Sequence, residues 1–182
     1  MRNSRAARPI LIALAALVVT AGALALAVLV LSSRDDAAVH APSGPGRVYP
    51  DRGARHITPA QRGAVRYDSE PPVSGPHVPV PVTRDGAELS DDQILHALEV
   101  GNVVLVYGTR TPPRALRVLA NDVAGPFDPA LVRAGQAVVL ARRPGTPGVV
   151  ALAWTRLLRV PRADDPRLSA FAEGWLGRGA RE

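Results

Sequence analysis

Residues 90–108, SDDQILHALEVGNVVLVYG, combine a helix signal with a strand signal. Ser90 followed three residues later by Gln93 forms a capping box, and the two aspartates between them favour the positive end of the helix dipole. Gly101 predicts the end of the helix. The valine-rich run at 102–108 then has the length and composition of a buried strand. A helix that passes directly into a buried strand predicts a domain built from both kinds of element.

The rest of the chain continues this mixture. Helices that begin with a proline or an aspartate cap are predicted at 111–123 and 164–179. Apolar β-branched runs predict strands at 136–143 and 148–160, and the sequence PGTPG between them predicts a hairpin. Because the helices and strands do not alternate regularly, the predicted fold class is α+β, with a small, mainly antiparallel sheet and packed helices.

An apolar segment near the N-terminus predicts a membrane anchor. Three arginines within residues 1–8 precede an uncharged run at 9–31. As a helix, 23 residues reach about 34 Å, enough to cross a hydrocarbon core of about 30 Å. The charge bias predicts a cytoplasmic segment at 1–8, a transmembrane signal anchor at 9–31 and an extracytoplasmic remainder, and hence a single-pass protein of the cell membrane. The alternative is a cleaved signal peptide, whose apolar region is usually only about 7–15 residues long.

Composition divides the external part into two regions. Residues 32–60 are rich in Pro, Gly, Ser and charge, which predicts a flexible linker, and residues 61–177 have the periodic apolar pattern of one folded domain. The 182-residue chain has no cysteine, which excludes disulfides and thiolate metal sites within it. Its net charge of +6 comes without a basic stripe interleaved with aromatic residues, so no nucleic-acid partner is expected.

Histidines in the helix and in a proline-rich segment are the candidate site residues. His96 and Glu99 lie three residues apart, on one face of the predicted helix. His77 ends the proline-rich loop at 67–77, whose stiffness holds a side chain at low entropic cost. Two interpretations stay open: a metal or catalytic group, or an imidazole that only satisfies a hydrogen bond inside the domain. His56 is a further candidate from the edge of the domain.

Three stretches carry a resemblance to a known family: PPVSGPH at 71–77, LHALEVGNVVLVY at 95–107 and ALAWTR at 151–156. Over about residues 56–175 the chain resembles the bacterial family called domain of unknown function 3105. The resemblance implies a membrane-anchored extracytoplasmic protein and no established activity. Where that family has a second helix histidine, this chain has Val100, so the imidazole pair of the family pattern is absent.

These observations lead to a functional expectation with one alternative. The expected function is a binding or interaction module of the cell envelope, with an envelope protein as partner and with the proline-rich loop and the 91–101 helix as its surface. The alternative is a histidine-based domain for copper or zinc, with a partly degenerated site formed by His77, His96 and Glu99. An enzyme is less expected and no catalytic residue is assigned, because Ser74 has no base and acid at nucleophile spacing.

Overall fold

The structure is a computed structural model that describes residues 44–180. The predicted cytoplasmic segment at 1–8, the anchor at 9–31 and the linker from 32 to 43 lie outside the described residues. Within 44–180, no helix combines the length and the hydropathy needed to cross a membrane.

A five-stranded sheet forms the centre of the domain, with the strand order β1-β5-β4-β2-β3. Its three pairings from β1 to β2 are antiparallel, whereas β2 and β3 run parallel. The α+β class is therefore confirmed, and the sheet is mixed. The strands are β1 (Arg47–Val48), β2 (Val103–Tyr107), β3 (Val138–Arg142), β4 (Val149–Ala153) and β5 (Arg156–Val160).

Helices cover both faces of this sheet. Helix α1 packs on one face together with the proline-rich loop and the short helix α3, and helices α2 and α4 pack on the other. Covering on both faces explains why β2 and β4 consist entirely of buried residues and show no alternation of polar and apolar side chains. The helices are α1 (Asp91–Glu99), α2 (Arg114–Ala124), α3 (Pro129–Arg133) and α4 (Arg167–Trp175), preceded by a 3₁₀ helix at Pro59–Ala64.

The segment with the strongest sequence signals has the predicted structure. The Ser90 hydroxyl accepts a hydrogen bond from the Gln93 amide, and the Gln93 side chain accepts one from the Ser90 amide, which completes the capping box. Gly101, with φ 112°, follows the last turn of α1 and allows the chain to turn into β2. The capping box and Gly101 therefore fix α1 against β2.

The predicted hairpin between 136–143 and 148–160 is wrong. Strands β3 and β4 are not paired with each other, because β2 lies between them. The loop that joins them crosses the end of β2, where the Arg143 amide donates to the Tyr107 carbonyl at 2.8 Å. Gly108 makes this crossing possible, since a side chain there would overlap the backbone of Thr146. The PGTPG sequence therefore indicates that the chain turns after β3, but it does not indicate which strand pairs with β3.

The predicted strand at 148–160 is two strands. Trp154 and Thr155 form a two-residue turn between β4 and β5, with Thr155 at φ 60°. A left-handed conformation is uncommon for a β-branched residue, and two backbone hydrogen bonds hold it: the Thr155 amide donates to Val73, and the Tyr49 amide donates to Thr155. The turn has no Gly, Asn or Asp, so the sequence carries no signal for it.

The predicted linker at 32–60 extends too far along the chain, since residues 44–60 pack in the domain. Strand β1 pairs with β5, Ile57 is buried, and the Trp175 indole donates to the Pro45 carbonyl at 2.9 Å. Backbone pairing and one buried indole order this segment. Neither contact is predictable from its composition of Pro, Gly and charged residues. The folded unit therefore begins by Gly44.

The close contact at Gly108 predicts that an added methyl group destabilises the protein there but not at an open glycine position. Gly108→Ala should destabilise the protein by about 1–3 kcal/mol, because the loop over β2 must move to relieve the overlap. Gly63→Ala is the matched control: its new methyl group would meet no atom within 4 Å, and it should be neutral or stabilising by up to about 1 kcal/mol. Urea unfolding of both variants measures this. Equal free energies of unfolding for the two variants would contradict the close approach of the loop to Gly108.

Candidate metal centre

The last turn of α1 presents one imidazole and one carboxylate. His96 and Glu99 are three residues apart on the helix, which places both side chains on the same face. Their contact joins His96 Nδ1 to Glu99 Oε2 at 3.1 Å. The backbone of Glu99 is itself fixed, because its carbonyl accepts a hydrogen bond from the Ala180 amide at 2.8 Å.

Two extended segments deliver two further imidazoles to the same place. The Ile57 amide donates to the His77 carbonyl, and the His77 amide donates to the Arg55 carbonyl. These bonds form a parallel bridge in which His56 and His77 are direct neighbours. Their side chains share one side of the bridge, and their ring centroids are 5.3 Å apart.

The proline-rich loop packs against α1, and Asp92 connects the two. One oxygen of this buried carboxylate accepts from the Val78 amide at 3.0 Å, and the other pairs with Arg62. Within the loop, the Tyr67 hydroxyl donates to the Pro76 carbonyl at 2.9 Å. Because Val78 directly follows His77, these contacts set the position of that imidazole relative to the helix.

All three imidazoles converge on one atom, Glu99 Oε2. His56 Nε2 lies 3.0 Å from this oxygen, His96 Nδ1 3.1 Å and His77 Nε2 3.2 Å. One ligand atom from each of the four residues lies within 4.8 Å of the others. The carboxylate oxygen has about two lone-pair sites, so it cannot accept three good hydrogen bonds at once.

The tautomer of His77 makes this contact unusual. Its Nδ1 lies 3.0 Å from the carbonyl oxygen of Gly75, which can only accept, so Nδ1 carries the proton. A neutral His77 then directs the bare lone pair of Nε2 at the Glu99 carboxylate. Two lone pairs face each other over 3.2 Å, and only a cation between them makes the contact favourable.

Burial acts differently on the two groups in this contact. It lowers the pKa of the fully buried His77 imidazole, against the opposing effects of the Gly75 carbonyl and the Glu99 charge. Burial alone would raise the pKa of Glu99, but hydrogen bonds from His56 and His96 and the nearby imidazole charges outweigh it and lower that pKa. At neutral pH the site therefore combines a neutral His77 with a charged carboxylate.

The geometry suits a transition-metal ion. In a tetrahedral site with bonds of about 2.0–2.1 Å, neighbouring ligand atoms lie about 3.3–3.4 Å apart. The three contacts to Glu99 Oε2, at 3.0–3.2 Å, are close to this edge length, whereas the four ligand atoms together lie within 4.8 Å of one another, so the imidazoles would move closer together around an ion. The bond from His77 Nδ1 to a backbone carbonyl is also the usual way in which a metal-bound histidine is oriented.

The structure brings the predicted site residues His77, His96 and Glu99 together and adds His56. Sequence reasoning gave His56 only as a further candidate, because the composition of the surrounding residues predicted a flexible linker. Val100 is 39% exposed at the end of α1, so this position is not part of the core.

Comparison with known proteins identifies a family and no described relative. Residues 57–181 match the profile of a family described as protein of unknown function (DUF3105). No curated protein and no solved structure matches the chain. His56 lies one residue before the matched region.

The lowered pKa of His77 predicts how stability depends on pH. The unfolded chain binds a proton at His77 below about pH 6.5, where the folded protein still resists protonation. The contribution of His77 to the free energy of unfolding of the metal-free protein should therefore be fully present above that pH. It should be lost as the pH is lowered through the folded pKa of His77. Carboxylates titrate at lower pH, so the trend in this range comes from imidazole groups. Urea unfolding over a pH series measures the trend, and a free energy that is flat or rises on acidification would contradict it.

Proposed function

We propose that this chain, which belongs to the DUF3105 family of proteins of unknown function, binds a divalent transition-metal ion. The ligands are His56, His77, His96 and Glu99. The observation that supports this proposal most directly is the contact between His77 and Glu99. In this contact Nε2 faces the carboxylate, while Nδ1 is hydrogen-bonded to the Gly75 carbonyl. Zinc and copper(II) are the ions best suited to imidazole nitrogens with one carboxylate oxygen.

A proton explains this cluster less well than a metal ion. A proton on His77 Nε2 would satisfy one of the three contacts to Glu99 Oε2 and would place an additional charge on a buried imidazole. The oxygen would still face three donors with about two lone-pair sites. A single divalent ion among the four side chains uses every inward-facing lone pair at once and compensates the carboxylate charge.

The buried loop favours the metal site over the expected interaction surface. Residues 71–75, which were expected to form part of a recognition surface, are buried against the sheet and α1. Beside this loop, the imidazole cluster reaches the surface through His56 and in part through His96. The contacts that order the loop are therefore better understood as supports for His77 than as a docking face for an envelope protein.

We further propose that residues 9–31 attach this domain to a membrane, with the metal site on the extracytoplasmic side. The support is the sequence: an uncharged run of 23 residues that follows three arginines. An extracytoplasmic location also fits a metal site without thiolates, since imidazole and carboxylate ligands are not subject to oxidation to disulfides.

Metal binding is tested with purified full-length protein. One equivalent of zinc or copper(II) should bind, measured by elemental analysis after removal of excess ion. Zinc at 100 times its dissociation constant should raise the free energy of unfolding by about 2.7 kcal/mol. Glu99→Gln keeps the shape of the side chain but removes its charge, and it should weaken affinity by about tenfold or more in competition with a chromophoric chelator.

Glu173→Gln is the matched control for this experiment. Glu173 is an exposed residue of α4, on the face of the sheet opposite to α1. Its replacement by glutamine should therefore leave metal affinity unchanged. Substoichiometric metal in the wild-type protein would refute the proposed function. So would equal affinities for the two glutamine variants.

The membrane anchor is tested by intact-mass analysis of protein extracted from membranes. The expected mass is that of a chain retaining residues 9–31. A mature chain that begins after Ala25 would instead show cleavage and a secreted domain.

A further inference from the structure

We infer that His56 holds an exchangeable coordination position of this metal site. When its imidazole turns away, the ion stays on His77, His96 and Glu99 and binds a small monodentate Lewis base from solution in its place. The inference rests on the proposed function and adds to it which ligand leaves and what class of molecule replaces it.

The four side chains form a gradient of exposure from one side of the site to the other. The exposed fraction of the side chain is 0% for His77, 19% for Glu99 and 26% for His96, but 49% for His56. Water and small solutes therefore reach the site from the side of His56. The same side is the route by which an ion enters or leaves.

The attachment of the side chains follows the same gradient. His77 is fully buried, and its Nδ1 is bonded to the Gly75 carbonyl. His96 and Glu99 are fixed to the last turn of a packed helix. Among residues 44–180, the only hydrogen bond of the His56 ring is the one from Nε2 to Glu99, although its backbone neighbours are bonded to His77. Rotation of His56 about its side-chain bonds breaks this single contact and leaves the backbone bridge intact.

The ligands that remain match a known type of metal site. Three protein ligands with a fourth, open position are typical of zinc sites that bind water or substrate, whereas structural sites keep four protein ligands. In the exchange, the bond from the metal to the His56 nitrogen breaks and the lone pair of the incoming base forms the new bond. No electron is transferred, and the charge of the ion does not change.

Chemical rescue with free imidazole tests the inference in the full-length protein. His56→Gly should weaken zinc affinity by about tenfold or more, and added imidazole should return it to near the wild-type value. His77→Gly should also lose affinity but should not recover, because its position is closed to solvent and a free imidazole there would lack access. Affinity is measured by competition with a chromophoric chelator that does not respond to imidazole.

Ala60→Gly is the matched control for added backbone freedom at a nearby exposed position, and it should neither lose affinity nor respond to imidazole. Thermal unfolding shows whether each variant is folded, and His56→Ala replaces His56→Gly if the glycine variant is not. Unchanged affinity in the His56 variants, or equal rescue of His77→Gly, would overturn the exchangeable position while leaving metal binding in place. Absence of metal from the wild-type protein would overturn both proposals together.

Discussion

The site depends on one electrostatic constraint: a buried imidazole whose only free nitrogen faces a carboxylate. The Gly75 carbonyl fixes the proton of His77 on Nδ1, and the burial of the ring disfavours a second proton on Nε2. The Glu99 carboxylate lies 3.2 Å from that nitrogen. In the low-dielectric interior this arrangement is unfavourable without a positive charge between the two groups. The contacts of the loop and the helix keep the two groups together despite this cost.

The fold holds the two groups together by fixing each on a different element. Glu99 is the last residue of α1, and its carbonyl is bonded to the Ala180 amide, where the absence of a side chain at Gly179 allows the C-terminal segment to approach. His77 is fixed through Val78, whose amide binds the buried carboxylate of Asp92 one turn before His96. Helix α1 therefore carries two of the proposed ligands and positions a third through Asp92. This explains why a short helix of nine residues is enough to organise the site.

Local signals predicted the longer helices and the apolar strand segments, but not how the strands pair. The capping box at Ser90 and the valine-rich run of β2 specify a helix and a strand within a few residues, because each depends on contacts between near neighbours. The parallel pairing of β2 with β3 joins residues more than thirty positions apart, and the two-residue turn at Thr155 is held by contacts with Val73 and Tyr49. For the site, the helix spacing of His96 and Glu99 and the stiff loop before His77 gave three of the four residues. His56 was beyond a local argument, since its place follows from backbone bonds to a segment about twenty residues away.

The position of Val100 bears on whether the site is a reduced one. In the family pattern that the chain resembles, a second helix histidine at this position would place two imidazoles one turn apart on α1. Val100 is exposed here, and His56 supplies a third imidazole from the extended segment that bridges to His77. A ligand on a separate extended segment differs from one on the helix in a physical respect: its side chain moves without disturbing His96 or Glu99. The chain therefore has three imidazoles for the proposed metal ion without a histidine at position 100, and His56 is the one most open to solvent.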